Sequence, residues 1–192
     1  MELGYLEYHP FGRIKLAKDP IIKQRTPIPE AKVKCLYKAT ETPDEKLLLI
    51  LGYGCGMRSK EILQLQVRDI KYDKAVLIIR HSKYNKRRVI PVQPISLQYL
   101  RHYIIEKNIA QNSLLITVSY TTLLNYFKNI QKRLDWLPPY YSLHHLRHSI
   151  ASHLVDRGLN LQLVQHFLGH SSLQTTQIYV TPIKDIQLWK TT

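Results

Sequence analysis

The chain has few cysteines, no long apolar run and no leader pattern, and each shortage excludes a class of protein. Two cysteines among 192 residues give neither a disulfide framework nor a C-x-x-C metal site. Cys35 and Cys55 both lie in apolar surroundings, which predicts two reduced core residues. No run of about 18 apolar residues is present to span a bilayer, and the N-terminus lacks the basic-then-apolar order of a signal peptide. We therefore expect a cytoplasmic protein with no membrane partner.

Acidic residues are also scarce, and the resulting charge indicates a partner. Lysine and arginine number 28 against 14 aspartates and glutamates, a formal net charge of +14. A surplus of this size exceeds what solubility requires and favours a polyanion, nucleic acid before membrane. Hydrophobic residues make up 44% of the chain, which suits one domain with a core, or one domain and a short arm.

Sequence periodicity predicts a mainly helical fold in the first third of the chain. Residues 1–29 contain four prolines and scattered basic residues without a sustained period, and are predicted to be an arm or linker. A short helix is expected from Glu30. A second, buried helix is predicted from Thr42 as N-cap, with Pro43 and Glu45 in its first turn, up to the glycines 54 and 56, and another opens at Ser59.

The middle of the chain changes character and then returns to helix. Alternating and β-branched residues at 69–80 and 88–92 flank the basic segment HSKYNKR, which predicts two or three antiparallel strands with a basic turn. After Pro94, apolar residues recur at spacings of three and four, as in helices: Leu97, Leu100, Ile104, Leu123, Phe127, Ile130 and Leu134. The expected fold class is therefore α+β, mainly α with one small antiparallel sheet.

The segment SLHHLRHSIASHL, residues 142–154, combines a helical pattern with an unusual density of histidine. Ser142 is the predicted N-cap, and the apolar stripe consists of Leu143, Leu146, Ile150 and Leu154. His144 and Arg147 are three residues apart and share a face beside that stripe. The next helix is expected to end at Gly169, with core positions Leu163, Val164, Phe167 and Leu168. One more helix begins at Ser171 and carries Tyr179 near its end.

Four blocks of this sequence resemble the tyrosine recombinases, also called phage integrases. HHLRHSIASHL followed by LGHSSLQTTQIYV is similar to the family's H-x-x-R, its L-G-H and a tyrosine nine residues after the last histidine. GCGMRSKEILQL resembles the segment with the family's first arginine, and SKYNKRRVIPV resembles that of its hairpin lysine. The resemblance spans roughly residues 27–180. A lone H-x-x-R would be weak in a chain rich in His and Arg, but four blocks in the family's order are specific.

The resemblance implies a role for each matching residue. Glu61 corresponds to an acidic position that supports the site, and Ser82 and Tyr84 replace the glycines that usually flank the hairpin lysine. The resemblance implies that Arg58 and Arg147 clamp the scissile phosphate and that His170 holds a phosphate oxygen. Tyr179 is the implied nucleophile, and His144 exchanges a proton with it. Lys83 is implied to protonate the leaving oxygen.

Elementary chemistry requires the same residue types. Two guanidiniums match the nonbridging oxygens of a phosphodiester and do not deprotonate near neutral pH. A phenol with a pKa of about 10 is roughly three units from ionised at pH 7, about 4 kcal/mol, so Tyr179 needs a proton acceptor or a positive field. The leaving 5′-oxygen needs a proton, which Lys83 can donate. No metal or other cofactor is required, and no carboxylate cluster is present to hold one.

Several of these residues have a simpler interpretation. His144, His148 and His170 have spacing compatible with zinc, but Arg147 would add a positive charge to the same shell, and no glutamate follows the first histidine. Tyr179 is alternatively a core tyrosine, one of 13 in the chain, and Arg58 a plain ion pair with Glu61. His145, His148 and His153 are predicted to be hydrogen bonders at the edge of the core or phosphate contacts, and not catalysts. The predicted DNA contacts are Lys86, Arg87, Arg88 and His148, and Lys83 is alternatively one more of these.

The resemblance implies a site-specific DNA recombinase acting through a 3′-phosphotyrosine without metal or ATP, in integration, excision or inversion. Expected partners are double-stranded DNA and other copies of the chain, a tetramer in the synaptic complex, in a prokaryotic nucleoid or mobile element. The alternatives are a type IB topoisomerase, a catalytically silent DNA-binding accessory protein of the same fold, and a metal-dependent nuclease.

Three regions are expected: the arm 1–29, a catalytic domain 30–180 and a tail 181–192. Family members usually carry a further helical DNA-binding domain before the catalytic one, so the chain is interpreted as a natural short form, favoured by Met1, or as a fragment. In the tail, Pro182 starts a helix with one apolar stripe, Ile183, Ile186 and Trp189. A helix of fewer than about 12 residues does not hold alone in water. The resemblance implies docking on a neighbouring subunit, and the alternative is folding back.

Overall fold

Seven α-helices and a small sheet form the described part of the chain, which in this computed structural model comprises residues 26–80, 87–136 and 140–168. In chain order they are α1 (Glu30–Lys38), α2 (Pro43–Leu49), a π-helical turn (Ile50–Gly54), α3 (Ser59–Gln64), a 3₁₀ turn (Val67–Asp69), β1 (Ile70–Lys71), β2 (Val76–Ile79), β3 (Arg88–Pro91), α4 (Pro94–Glu106), α5 (Tyr120–Arg133), α6 (Leu143–Asp156) and α7 (Leu161–Leu168). The predicted fold class is confirmed.

Helix α2 begins as the sequence predicts. The Thr42 hydroxyl accepts a hydrogen bond from the Glu45 N–H at 3.2 Å, and the Glu45 carboxylate accepts one from the Thr42 N–H at 3.3 Å. These reciprocal bonds satisfy donors that the first turn of a helix leaves unpaired. The helix was predicted to continue to Gly54, and it does so with a change of hydrogen bonding: from Ile50 onward it is a π-turn.

The π-turn places the segment before α3 directly against α6. At Gly52 an added Cβ would lie 3.0 Å from the Leu146 side chain of α6, so a glycine allows this close packing. Arg58 follows the π-turn, and Arg147 follows Leu146. The packing of Gly52 on Leu146 therefore fixes the distance between the start of α3 and the first half of α6.

The sheet is antiparallel in the order β1-β2-β3, and its strands pair in register with Ile70 opposite Leu77 and Ile79 opposite Arg88. Leu77, Ile79 and Ile90 are buried on its inner face. Two or three antiparallel strands were predicted, and the structure has three. Positions 81–86 of the basic turn between β2 and β3 lie outside the described residues.

The core is formed largely by the residues that helical spacing predicts. The α6 stripe is buried throughout, and α5 buries Leu123, Phe127 and Ile130. Ile28, from the end of the predicted arm, is also fully buried, and its N–H donates to the Ser149 hydroxyl of α6 at 2.8 Å. The residues just before α1 therefore pack on the domain.

Two predicted core positions are wrong. Leu163 is 39% exposed, because α7 turns Val164 and Leu168, four residues apart, toward the core, and Leu163 lies about 100° away around the helix. Cys35 is exposed, since α1 is a surface helix that buries only the stripe formed by Val33 and Leu36. Cys55 is buried, as predicted, and its thiol is free.

An ion pair between the buried Glu45 carboxylate and the partly exposed Arg133 side chain joins α2 to α5. The Glu45 carboxylate is 2% exposed and is held by the Arg133 guanidinium at 2.7 and 2.8 Å. Burial alone would raise the pKa of Glu45, but the hydrogen bonds from Arg133, Glu41 and Thr42 outweigh it, and the pKa is lowered.

We expect Glu45→Gln to reduce the free energy of unfolding by about 2 kcal/mol, the usual contribution of charge-assisted hydrogen bonds. Because the pKa of Glu45 is lower in the folded state, this stabilisation is present above the unfolded pKa, near 4.3, and is lost as the pH falls through the folded value. Urea denaturation at pH 7 and pH 3 measures both effects. Glu106→Gln, at a half-exposed carboxylate, is the control, and an equal effect there would contradict the assignment.

No helix in the described ranges is both long and apolar enough to cross a bilayer.

Candidate active site

Three arginines and one glutamate from separate elements meet between α3, β3, α6 and α7. Arg58 is the residue before α3, Glu61 lies in its first turn, Arg88 begins β3, and Arg147 lies in the second turn of α6. We call these four residues the arginine cluster. Their distances along the chain are large, so the cluster depends on the packing of the whole domain.

Glu61 is the only carboxylate in the arginine cluster, and it is 4% exposed. Its Oε1 accepts a hydrogen bond from Arg58 Nη1 at 2.9 Å, and its Oε2 accepts one from the Arg58 N–H at 2.8 Å. The same Oε2 pairs with Arg88 Nη2. Arg58 therefore forms the ion pair with Glu61 that was its simpler interpretation. Its side chain is also 26% exposed.

The Arg147 guanidinium is buried and bound by two carbonyl groups. Nη1 donates to the Gly56 oxygen and Nη2 to the Leu168 oxygen at the end of α7. The last carbonyls of a helix carry partial negative charge, which favours a cation there. These two contacts lock the guanidinium between the π-turn and the end of α7.

Gly56 is required in this arrangement for two reasons. Its φ of +57° is the left-handed conformation that favours glycine, and an added Cβ would lie 3.0 Å from both Phe167 and Leu168. A larger residue would push the end of α7 away from position 56. The Leu168 carbonyl, which Arg147 binds, would move with it.

The cluster carries more positive charge than it can neutralise. Burial, followed by the charges of Arg88 and Arg58, lowers the pKa of Arg147 to about 9, and Glu61 offsets only part of this. Burial also lowers the pKa of Arg88, again opposed by Glu61. Three guanidiniums face one carboxylate, and buried charge without a counter-ion is unfavourable. The arrangement therefore fits an anionic ligand with several oxygens.

The histidines of α6 divide between surface and core. His144 lies one turn before Arg147 and is exposed, as is His148. His145 accepts a hydrogen bond at Nδ1 from the Ser142 N–H at 3.0 Å, and His153 Nδ1 lies 2.8 Å from the Tyr53 hydroxyl. These contacts agree with the predicted hydrogen-bonding roles of His145 and His153.

Four predicted site residues, Lys83, Lys86, His170 and Tyr179, lie outside the described residues. In the sequence, Lys83 stands between the paired strand ends Ile79 and Arg88, and His170 is two residues after Leu168. Of the predicted catalytic set, the structure thus brings together Arg58 and Arg147, supported by Glu61, with His144 on the same helix as Arg147.

Arg87 and Arg88 were predicted together as DNA contacts, and the structure places them differently. Arg87 is exposed. The Arg88 side chain is 7% exposed and bound to Glu61, and its Nη1 donates to the Phe167 oxygen at 3.1 Å. The period-two pattern of β3 was the available signal, because it places Arg88 on the same face as the fully buried Ile90.

Gly56 was predicted only as the end of a helix, and its contact with Arg147 was not predicted. The signal was its position two residues before Arg58. In the described ranges, no group of three histidine, cysteine, aspartate or glutamate side chains is arranged to hold a metal ion.

Comparison with known proteins gives consistent results. The model of the Phage integrase family matches residues 27–185. Tyrosine recombinase XerA of Pyrococcus horikoshii is 34% identical over 176 residues, covering 84% of this chain and 59% of that protein. The solved structure of the XerH site-specific recombinase bound to difH substrate aligns with a TM-score of 0.66 at 25% identity, covering 81% of this chain and 50% of that one.

The lambda integrase catalytic core has the same fold, with a TM-score of 0.62 at 20% identity, covering 76% of this chain and 92% of that one. This chain therefore spans almost the whole of that isolated catalytic core, but only about half to three fifths of the XerH and XerA chains.

Proposed function

The chain belongs to the phage integrase family, and from this membership we propose that it acts as the catalytic domain of a site-specific DNA recombinase. The observation that carries the proposal is the surplus of guanidinium charge around Arg147, Arg88 and Arg58, which among the described residues is set against the carboxylate of Glu61. A phosphodiester supplies the missing charge, and its nonbridging oxygens fit the planar donors of arginine.

In the proposed first step the Tyr179 hydroxyl oxygen attacks the phosphorus of the scissile phosphodiester. A bond forms between that oxygen and phosphorus, and the bond from phosphorus to the 5′-oxygen breaks. The tyrosine proton passes to His144, and Lys83 donates a proton to the 5′-oxygen.

The product is a 3′-phosphotyrosine and a free 5′-hydroxyl. The number of phosphoester bonds is unchanged, so attack by a 5′-hydroxyl from another strand reverses the step without ATP. Arg58 and Arg147, with His170, stabilise the charge that develops on the nonbridging oxygens. Glu61 holds Arg58 in place through the two hydrogen bonds already described.

The proposed substrate is double-stranded DNA, and the proposed location is the prokaryotic cytoplasm, with the nucleoid or a mobile element. The net charge of +14 supports contacts to many phosphates, and exposed Arg87 and His148 are described candidates for them, with Lys86 outside the described residues.

A cleavage assay in EDTA tests the proposed function. Duplex fragments from the DNA beside the gene, where inverted repeats are expected, are incubated with the protein and quenched with detergent. The proposal predicts covalent protein–DNA adducts at a defined sequence, with a free 5′-hydroxyl on the other product. Adducts at many sequences together with relaxation of a supercoiled plasmid would identify a type IB topoisomerase. Cleavage only with added Mg²⁺ would identify a metal-dependent nuclease, and binding without adduct an accessory protein.

Lys83 is expected to become dispensable when the bridging 5′-oxygen of the substrate is replaced by sulfur, because a thiolate leaves without a proton. Lys83→Ala should cleave the oxygen substrate at least about 100-fold more slowly than wild type, as for loss of a general acid, and the sulfur substrate at nearly the wild-type rate. Arg58→Ala and Arg147→Ala are the controls, and sulfur should not rescue them. Equal defects of Lys83→Ala on both substrates would move the acid elsewhere, with Lys86 next.

We propose that the tail, residues 181–192, docks on a neighbouring subunit of a tetramer on two DNA segments. Its apolar stripe is too short to fold alone and needs a surface to cover it. Removal of residues 182–192, or Trp189→Ala, should leave DNA binding by the monomer nearly unchanged and weaken the paired complex in native gels. Normal pairing by the truncated protein would show that the tail does not carry the subunit contact.

A further inference from the structure

We propose that Arg88 is a positioning residue that holds the phosphate-binding arginines in place, an inference that rests on the proposed function. The side chain is 7% exposed, so it does not present its guanidinium to DNA as an open surface contact. Its partners are instead two groups that belong to the site, the Glu61 carboxylate and the Phe167 carbonyl.

The contact with Glu61 determines how that carboxylate is shared. Oε1 faces Arg58 Nη1, and Oε2 accepts from both the Arg58 N–H and Arg88 Nη2. Without Arg88, Glu61 Oε2 would keep only the hydrogen bond from the Arg58 N–H. The Glu61 carboxylate could then rotate together with the partly exposed Arg58 side chain. Arg88 therefore restricts Glu61, and Glu61 in turn restricts Arg58.

The contact with the Phe167 carbonyl helps to hold Arg147 in place. Arg88 binds the Phe167 oxygen and Arg147 binds the Leu168 oxygen, so two guanidiniums hold adjacent carbonyls at the end of α7. If Arg88 is removed, Arg147 alone anchors the end of this helix. Because α7 packs on β3, the strand that starts with Arg88, the loss should also loosen that contact.

The charge of Arg88 adds a third effect. It repels the Arg147 guanidinium and contributes to its lowered pKa, after burial. The negative charge that grows on the phosphate during the reaction relieves this repulsion, so the repulsion increases the stabilisation of the transition state more than that of the bound DNA. Arg88 thus acts on both catalytic arginines without touching the substrate.

The test compares Arg88→Met and Arg88→Lys with the wild-type chain on nicked duplex DNA. Arg88→Met removes the donors and keeps an unbranched side chain that reaches as far as the arginine Nε, and Arg88→Lys keeps the charge but loses the planar fork. The measurements are the rate constant of adduct formation at saturating DNA, the Kd for DNA and the thermal unfolding midpoint. Each rate is measured on the natural phosphodiester and on a methylphosphonate, in which a methyl group replaces one charged nonbridging oxygen.

We expect Arg88→Met to lower the rate on the phosphodiester by about 10- to 100-fold, the usual effect of losing a supporting partner, with Kd changed less than about threefold. The methylphosphonate is neutral and leaves one nonbridging oxygen for the arginines, so they stabilise less charge and the ratio of wild-type to variant rates should shrink to about three or less. Arg88→Lys should lower the rate on the phosphodiester by a smaller factor, and this factor should also shrink on the methylphosphonate. If Arg88→Met does not fold, the two rates of Arg88→Lys test the proposal.

The matched control is Arg133→Met, which breaks a buried carboxylate pair of similar kind at Glu45, away from the cluster. It should lose stability and keep its rate on both substrates. A ratio for Arg88→Met that is the same on both substrates, or a rate defect equal to that of Arg133→Met, would overturn the proposal. So would a large change in Kd with a normal rate, which would make Arg88 a DNA contact. If the wild-type chain forms no adduct, the proposed function fails instead.

Discussion

Tyr179→Phe is expected to abolish covalent capture of DNA while leaving DNA binding nearly unchanged. The substitution removes only the hydroxyl oxygen, and no phosphoester to protein can form without it. On a nicked suicide substrate the short cleaved strand diffuses away and traps the adduct, so even slow cleavage accumulates. Adduct from the variant should stay below about one thousandth of the wild-type amount, since the reacting atom itself is lost.

Tyr120→Phe is the matched control for this loss, because Tyr120 is 51% exposed at the start of α5. It should form adduct at the wild-type rate. Binding of both variants to the intact duplex, measured by fluorescence anisotropy, should agree with wild type within about twofold, because the hydroxyl carries no charge at pH 7. An adduct that survives Tyr179→Phe would falsify the assignment of the nucleophile.

Arg147→Ala is expected to reduce the cleavage rate by about 10²- to 10³-fold at saturating DNA, the range found for losing one donor to a developing oxyanion. The guanidinium is fixed by the Gly56 and Leu168 carbonyls before DNA binds, so little reorganisation is needed in the reaction. The loss should appear mainly in the rate constant and less in Kd, because many other cations bind the DNA backbone. Single-turnover cleavage of the suicide substrate measures it.

Arg157→Ala is the control for Arg147→Ala. Arg157 follows α6 directly, is exposed and pairs with Glu30 at 2.8 Å. Its loss should leave cleavage within about threefold of wild type, as expected for an exposed ion pair. A folded Arg147→Ala protein that cleaves at a rate close to that of Arg157→Ala would contradict the role of Arg147.

Local sequence signals predicted most of the helices because those signals are local in origin. The capping box at Thr42 depends on residues three apart, and the α6 stripe depends on spacing along one helix. The π-turn at Ile50–Gly54 could not be predicted in the same way. It accompanies the close packing of Gly52 against Leu146, which are 94 positions apart in the sequence and brought together only by the fold.

The candidate site divides in the same manner. Arg58, Glu61, His144 and Arg147 were identified because their motifs resemble those of a family, and the structure brings the arginines and the glutamate together. The carbonyl partners of Arg147 and the buried position of Arg88 were not identified, since each depends on contacts between elements distant in sequence. The predicted burial of Leu163 was wrong for a related reason. The side of α7 that faces the core is set by its packing on the neighbouring helix.

We propose that the residue joined to DNA is Tyr179 and that the arginine cluster binds the phosphate that Tyr179 attacks. The most direct measurement is mass spectrometry of the trapped adduct after digestion by protease and nuclease. We expect one modified peptide, spanning Tyr179, whose tyrosine carries a 3′-linked nucleotide, and loss of this peptide in Arg147→Ala after the same reaction time. A nucleotide on a serine, histidine or another tyrosine, or a cleaved strand with no nucleotide attached to the protein, would contradict it.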